Sequence, residues 1–106
     1  MSSIVPNLGP ILVTGSGALT PAAPYCTMPI TYAGVAAMTL AAPVEDGIEV
    51  TLIDETGHAH TLVVNQLNAG TSNNKLTWNG TAGSSAVIFS RNGAWWTVAL
   101  NGVAVS

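Results

Sequence analysis

Ionic side chains are scarce in this sequence. Only seven of its 106 residues are charged, 7% of the chain, whereas an ordinary soluble domain has about 25%. Its two basic residues, Lys75 and Arg91, are too few to neutralise several phosphates, which argues against a nucleic-acid partner. The formal net charge of −3 gives no attraction to an anionic membrane surface. Because free monomers rely on mixed surface charge for solubility, the composition indicates a protein whose faces are largely covered by neighbouring subunits.

The sequence also has little cysteine, no long apolar run and no basic leader. Cys26 is the single cysteine, so no intrachain disulfide forms and no oxidising compartment is implied. The opening residues, MSSIVPNLGPILV, lack a basic region and contain Pro6 and Pro10, so we expect no signal peptide. The longest weakly polar run, residues 33–44, is far shorter than a membrane span. We therefore predict a single unit made in the cytoplasm.

The prolines divide the chain into two parts, since all six lie within the first 43 residues. Residues 1–24 alternate short apolar pairs with Pro, Gly and Ser. Proline lacks an N–H and cannot lie centrally in a sheet, yet this stretch is too apolar for a solvated tail. We predict an extended N-terminal attachment arm over residues 1–24 and a β-rich domain over residues 25–106. The arm residues expected to contact a partner are Ile4, Val5, Leu8, Ile11, Leu12 and Val13.

From about Gly34 onward the residues alternate as in β-strands. Residues 48–54 and 60–65 are typical of two strands, and the turn residues between them predict a β-hairpin. Further apolar segments at 75–78, 86–90, 95–100 and 103–105 are separated by Asn-Gly pairs, which tolerate the positive φ angles of type I′ turns. We predict an all-β fold with short antiparallel strands, arranged as a sandwich, a barrel or a prism.

The pair His58 and His60 is the main candidate for chemistry. If residues two apart on a strand point to one face, both rings could reach one metal ion, with a third ligand from Cys26, Asp54 or Glu55. A second arrangement places the pair on a threefold axis, where three copies would offer six nitrogens. The simpler interpretation is that both histidines face solvent or a neighbour. We therefore predict no metal site.

Catalytic patterns are otherwise missing from the sequence. No nucleophile elbow of the G-x-S-x-G type is present. The carboxylate pairs are sequence neighbours, which point to opposite faces of a strand and cannot flank one bond. We predict that the chain is not an enzyme and uses no cofactor.

The acidic residues all fall within one window of 11 residues. This clustering predicts an exposed acidic strand edge. The alternative is that the edge pairs with Lys75 or Arg91 of a neighbouring chain. The acids are Glu45, Asp46, Glu49, Asp54 and Glu55.

The tryptophans Trp78, Trp95 and Trp96 are predicted to be interface anchors. Trp95 and Trp96 should face opposite sides of one strand, so that one enters the core and the other looks outward. The alternative role for the outward ring is a platform on which a sugar stacks.

The C-terminal two thirds of the chain resembles a known group of proteins. The segment NGTAGSSAVIFSRNGAWWTVALNGVAVS, preceded by DETGHAHTLVV, is similar to β-rich domains of tailed-bacteriophage virion proteins, over roughly residues 36–106. The resemblance implies a homotrimer, built as a β-sandwich or an intertwined trimeric β-prism, that binds capsid or tail proteins without catalysis. We therefore expect a capsid decoration or cement protein on the outer capsid surface of the virion, with the major capsid protein as its partner. The alternative is a fibre or spike subunit that binds a host-surface glycan.

Overall fold

The computed structural model describes residues 10–70 and 72–106. Over these residues the backbone forms strands and turns, and none of it is helical. Accordingly, no helix long and apolar enough to span a membrane occurs in these ranges. In chain order the strands are β1 (Gly17–Ala18), β2 (Tyr25–Ile30), β3 (Ala37–Leu40), β4 (Glu49–Asp54), β5 (Thr61–Val64), β6 (Lys75–Trp78), β7 (Ser85–Arg91), β8 (Ala94–Asn101) and β9 (Val103–Val105).

The strands form two sheets around one hydrophobic core. One sheet has the order β1-β3-β5-β6-β9 and the other the order β2-β4-β7-β8. Side chains alternate along the strands. In β4, Val50 and Leu52 are buried, whereas Glu49 before them and Thr51 between them are half-buried. Buried residues of both sheets join in a single cluster. The predicted all-β fold is confirmed, with the architecture of a β-sandwich.

The first half of the chain winds back and forth between the two sheets. Strands β2 and β4 pair in parallel, as do β3 and β5. Tyr25 is opposite Glu49 and Ala37 is opposite Thr61, so both parallel pairs join residues 24 positions apart. β3 therefore lies in the crossover that links the parallel strands β2 and β4 of the opposite sheet. In the same way, β4 lies in the crossover that links β3 and β5. The predicted hairpin of residues 48–54 and 60–65 is wrong, because β4 and β5 lie in different sheets.

The Asn-Gly pairs make two kinds of connection. Asn92 and Gly93 have φ angles of 54° and 73° and join β7 to β8 in a two-residue hairpin, which agrees with a type I′ turn. The pairs at 79–80 and 101–102 instead link strands of different sheets. There only the glycines, Gly80 and Gly102, have positive φ. The same dipeptide thus serves both a hairpin and a crossing between sheets.

The described part of the predicted arm belongs to the sandwich. The N–H groups of Ile11 and Val13 donate to the carbonyls of Thr27 and Pro29 at 3.0 and 2.8 Å, so residues 11–13 run beside β2. Val13 is only 4% exposed, and β1 pairs with β3. The predicted boundary at residue 24 is therefore wrong for residues 10–24, because Val13 is buried in the chain's own core and Ile11, Leu19 and Ala22 pack against that core.

Candidate functional site

A buried polar cluster lies where β4 ends and the chain crosses to β5. Asp54 and His60 are both 0% exposed, and Nε2 of His60 is 3.0 Å from Oδ1 of Asp54. The carboxylate also accepts hydrogen bonds from the backbone N–H groups of Thr56, Gly57 and His58 at 2.9, 3.0 and 3.1 Å. One side chain thereby fixes the whole loop that connects the two sheets.

The hydrogen bonds of His60 define its tautomer. The backbone N–H of Ala36 donates to Nδ1 at 3.0 Å, so Nδ1 carries the lone pair. The proton is therefore on Nε2, which donates it to Asp54. With both nitrogens engaged inside the fold, His60 is not free to ligate a metal ion. The interpretation that both histidines face solvent or a neighbour is wrong for His60.

The His58–His60 pair does not form the arrangement that a metal site needs. His58 lies 3.0 Å from the hydroxyl of Thr56 through its Nδ1, and the two rings are 6.0 Å apart and tilted. Within residues 10–70 and 72–106 no three His, Cys, Asp or Glu side chains are grouped to hold a metal. Since His60 has no free nitrogen, the pair cannot offer two imidazoles to an ion on a symmetry axis either.

Thr56 gives the cluster the composition of a catalytic triad but not its geometry. Its Oγ1 lies 3.3 Å from both Oδ1 of Asp54 and Nε2 of His60. In a triad the histidine binds the carboxylate with one nitrogen and faces the hydroxyl with the other. Here one nitrogen serves both, and the second is occupied by the Ala36 N–H. This arrangement stabilises a loop and does not activate a nucleophile.

Asp54 is held in its ionised form. Burial opposes ionisation, but hydrogen bonds from the backbone of Thr56 and Gly57, followed by the contribution of His60, outweigh it and lower the pKa of Asp54 below its ordinary value. The predicted acidic edge is therefore wrong for this residue, which is inside the protein. Of the other four acids, Glu45, Asp46 and Glu55 are exposed and Glu49 is half-buried.

Two of the three predicted tryptophan anchors are core residues. Trp78 is 0% and Trp95 2% exposed, and their indole N–H groups donate to the carbonyls of Ser84 and Ala41 at 3.2 and 2.9 Å. The interface prediction is wrong for both, and also for Val13, because these side chains fill the chain's own interior. Trp96 faces outward, as expected for one member of the Trp95–Trp96 pair.

Only some of the predicted arm contacts remain open to a partner. Leu12 is 54% exposed, whereas Ile11 is half-buried and packs against the core. The residues Ile4, Val5 and Leu8 lie outside the described residues. Neighbouring residues of an extended segment point to opposite sides, so only one of Leu12 and Val13 can face the core. The sequence does not show which one, because both side chains are apolar.

The outer face of the four-stranded sheet has few charges, and no strand of the described structure lies over it. Tyr25, Glu49, Phe89 and Trp96 occupy matching positions on its four strands. We call Tyr25, Phe89 and Trp96 the aromatic row; Tyr25 and Trp96 are exposed and Phe89 is half-buried. The next row across the sheet is Thr27, Thr51, Val87 and Ala99. Glu49 is the one charged residue among these eight.

The edge strand β8 is covered by the chain along its first half. Trp95 exchanges backbone hydrogen bonds with Gln66 at 3.0 Å and Asn68 at 2.6 Å, and Oδ1 of Asn68 accepts the N–H of Thr97 at 3.1 Å. Residues 98–101 pair with β7 on one side, and within the described structure no strand lies on their other side. We call these four residues the open edge. Val98 and Leu100 within it are 60% and 38% exposed.

An apolar cleft of about 240 Å³ lies between the segments 19–21 and 40–44, with Trp95 in its wall. None of its lining residues is ionisable. The cleft therefore carries no acid or base that could activate the hydroxyl of Thr20 in its lining.

No protein-family model matches the chain, and no curated protein matches it either.

Proposed function

We propose that this protein is a structural virion protein, a homotrimeric decoration or cement protein that binds the major capsid protein on the outer surface of a bacteriophage head. The observation that carries the proposal is the exposed apolar surface formed by the aromatic row and the open edge. Large apolar patches that remain exposed on a subunit mark interaction sites. The resemblance of residues 36–106 to phage virion domains supplies the setting.

The amount of surface available suits an assembly. The chain exposes 5463 Å², and one partner's share of a standard interface is about 800 Å². Two such contacts, as each subunit of a trimer makes, would cover about 30% of that surface. A third contact, with the capsid, leaves a still smaller solvent-exposed surface. The exposed Thr, Ser and Asn residues suffice to keep that surface hydrated without many charges.

The polar cluster supports a role without catalysis. Asp54 and His60 are buried, and their polar atoms bind backbone groups of the same chain. The cleft beside Trp95 has no titratable lining. The polar groups of this cluster thus stabilise the fold, and the exposed surface includes apolar side chains such as Tyr25, Trp96 and Val98, which suit contact with another protein.

The direct test is cosedimentation of the purified protein with heads assembled from the major capsid protein of the same phage. We expect saturable binding that is weakened by Trp96→Ser, because this change removes an exposed indole from the outer face. The matched control is Val35→Ser, which alters another exposed apolar residue outside the four-stranded sheet. Binding that is absent, or that responds equally to the two changes, would contradict the proposal.

The aromatic row favours one second candidate, a fibre or spike subunit that binds a host-surface glycan. Tyr25 and Trp96 are exposed on one face with the carboxylate of Glu49 between them, a combination on which sugars can stack and form hydrogen bonds. Binding of the protein to a glycan array, lost in Trp96→Ala, would favour this candidate. Trp95→Ala is not informative, since Trp95 is in the core.

A further inference from the structure

The open edge has little of the protection that edge strands usually have. Natural proteins discourage pairing at an exposed edge with charged residues, proline, β-bulges or coverage by other segments. The open edge reads Val-Ala-Leu-Asn and has neither charge nor proline. Its one protective feature is a bulge at Val98, which interrupts the register with β7 and leaves the backbone of residues 99–101 beyond it in the strand. Among the described residues, the chain covers β8 only as far as Thr97, which leaves room beside the edge for a strand of about four residues.

The described part of the chain begins at the opposite edge of the same sheet, beside β2. Residues 11–13 run parallel to β2 on its outer side, with the N–H of Ile11 bound to the carbonyl of Thr27. The nine residues that precede Pro10 therefore start from the β2 edge, whereas the open edge belongs to β8 at the far side. These nine residues include Ile4, Val5 and Leu8 and have no ionisable side chain.

Distance argues that these residues reach a neighbouring subunit. From the 11–13 segment to β8 there are four strand spacings, about 19 Å. At about 3.3 Å per residue, crossing the sheet would take about six residues, those at positions 4–9. Ile4 and Val5 would then lie on the crossing and could not pair along the chain's own open edge. A second subunit placed edge to edge receives the whole segment without this crossing.

We propose that residues 1–9 of one subunit add as a short strand to the open edge of the next subunit. The strand comprises residues 2–5, since Pro6 cannot donate a ladder hydrogen bond. Backbone hydrogen bonds supply affinity, and Ile4 and Val5 pack near Val98 and Leu100. The contact joins two different edges of the subunit, so it is heterologous. In the proposed homotrimer, three such contacts close a ring. This inference rests on the proposed homo-oligomer and specifies the contact that builds it.

The test uses a truncated protein that begins at Pro10 and a fluorescently labelled peptide of residues 1–9. The truncation keeps Val13 and Leu19, which pack in or against the core, so it should fold. We expect it to be monomeric by light scattering, and we expect the peptide to bind it saturably by fluorescence anisotropy. The double variant Val98→Lys/Leu100→Lys should weaken peptide binding by about tenfold or more.

The matched control is Val63→Lys. Val63 is exposed on β5, in the middle of the opposite sheet, so peptide binding should not change. The inference is overturned if the truncated protein forms the same oligomer as the full-length protein, or if the peptide does not bind to it. It is also overturned if the double variant and Val63→Lys bind the peptide equally well. Should the truncated protein not fold, the masses of the full-length lysine variants decide: dissociation of the double variant alone supports the contact, and equal masses overturn it. Failure here with intact head binding would leave the proposed function standing.

Discussion

Asp54→Ala should strongly destabilise the protein. The change removes the acceptor of three backbone N–H groups, those of Thr56, Gly57 and His58, and of the Nε2–H of His60. A buried donor without an acceptor costs about 1–3 kcal/mol. The loop is half-buried and can recover some bonds with water, but His60 is fully buried and cannot. We expect the free energy of unfolding to fall by about 3–5 kcal/mol, as when one partner of a buried pair is removed.

Asp54→Asn and Asp46→Asn calibrate this loss. The asparagine at position 54 keeps an oxygen acceptor but points an amide at the N–H of His58, so the expected loss is about 1–3 kcal/mol. Asp46 is exposed and accepts one N–H, that of Asn92, so its variant should lose less than about 1 kcal/mol. Urea unfolding followed by tryptophan fluorescence measures all three. The reasoning is refuted if Asp54→Ala costs no more than Asp46→Asn.

The same residue predicts how stability depends on pH. Because the folded protein holds the pKa of Asp54 below its ordinary value of 3.8, the unfolded chain binds the proton more readily. The carboxylate therefore contributes its full stability above that ordinary value, and the contribution is lost as the pH falls through the folded pKa. Urea midpoints between about pH 6 and pH 2.5 should fall more steeply for the wild type than for Asp54→Asn. Parallel pH profiles would contradict this.

Two further predictions use the same unfolding assay. Gly102→Ala should cost about 2–4 kcal/mol, since Gly102 has a φ of 71° and an added Cβ would meet the side chain of Ser84; Gly15→Ala, which meets nothing within 4 Å, should change little, and equal effects would count against the argument. Val13→Ala should cost about 2 kcal/mol and Leu12→Ala less than about 0.5 kcal/mol; a neutral Val13→Ala would show that this segment is not part of the core.

The strands of the second half could be predicted because their residues alternate. Segments 75–78, 86–90 and 103–105 match β6, β7 and β9 within one residue at each end. The strand β2 was not predicted, because it contains Pro29 and the apolar run Met28–Ile30 hides its alternation. Alternation also does not say which sheet a strand joins. That choice depends on pairing between distant residues, which is why a hairpin was predicted where the chain crosses between sheets.

The candidate site was predictable in part. The closely spaced His58 and His60 indicated a candidate site. The role of His60 depends on the backbone N–H of Ala36, 24 residues away in sequence, which no local pattern reveals. Asp54 offered a signal, since an aspartate two or three residues before turn residues such as Thr56 and Gly57 is typical of a side chain that binds their backbone N–H groups. That Trp95 and Trp96 face opposite sides followed from strand geometry. Which of them enters the core depends on the second sheet, and a single strand does not show it.

The mass of the full-length protein in solution tests the central claim most directly. The account predicts a particle of three times the chain mass of 10.7 kDa by sedimentation equilibrium, because the open edge and the apolar outer face need partners. A protein that remains at the mass of one chain over a wide concentration range would contradict it.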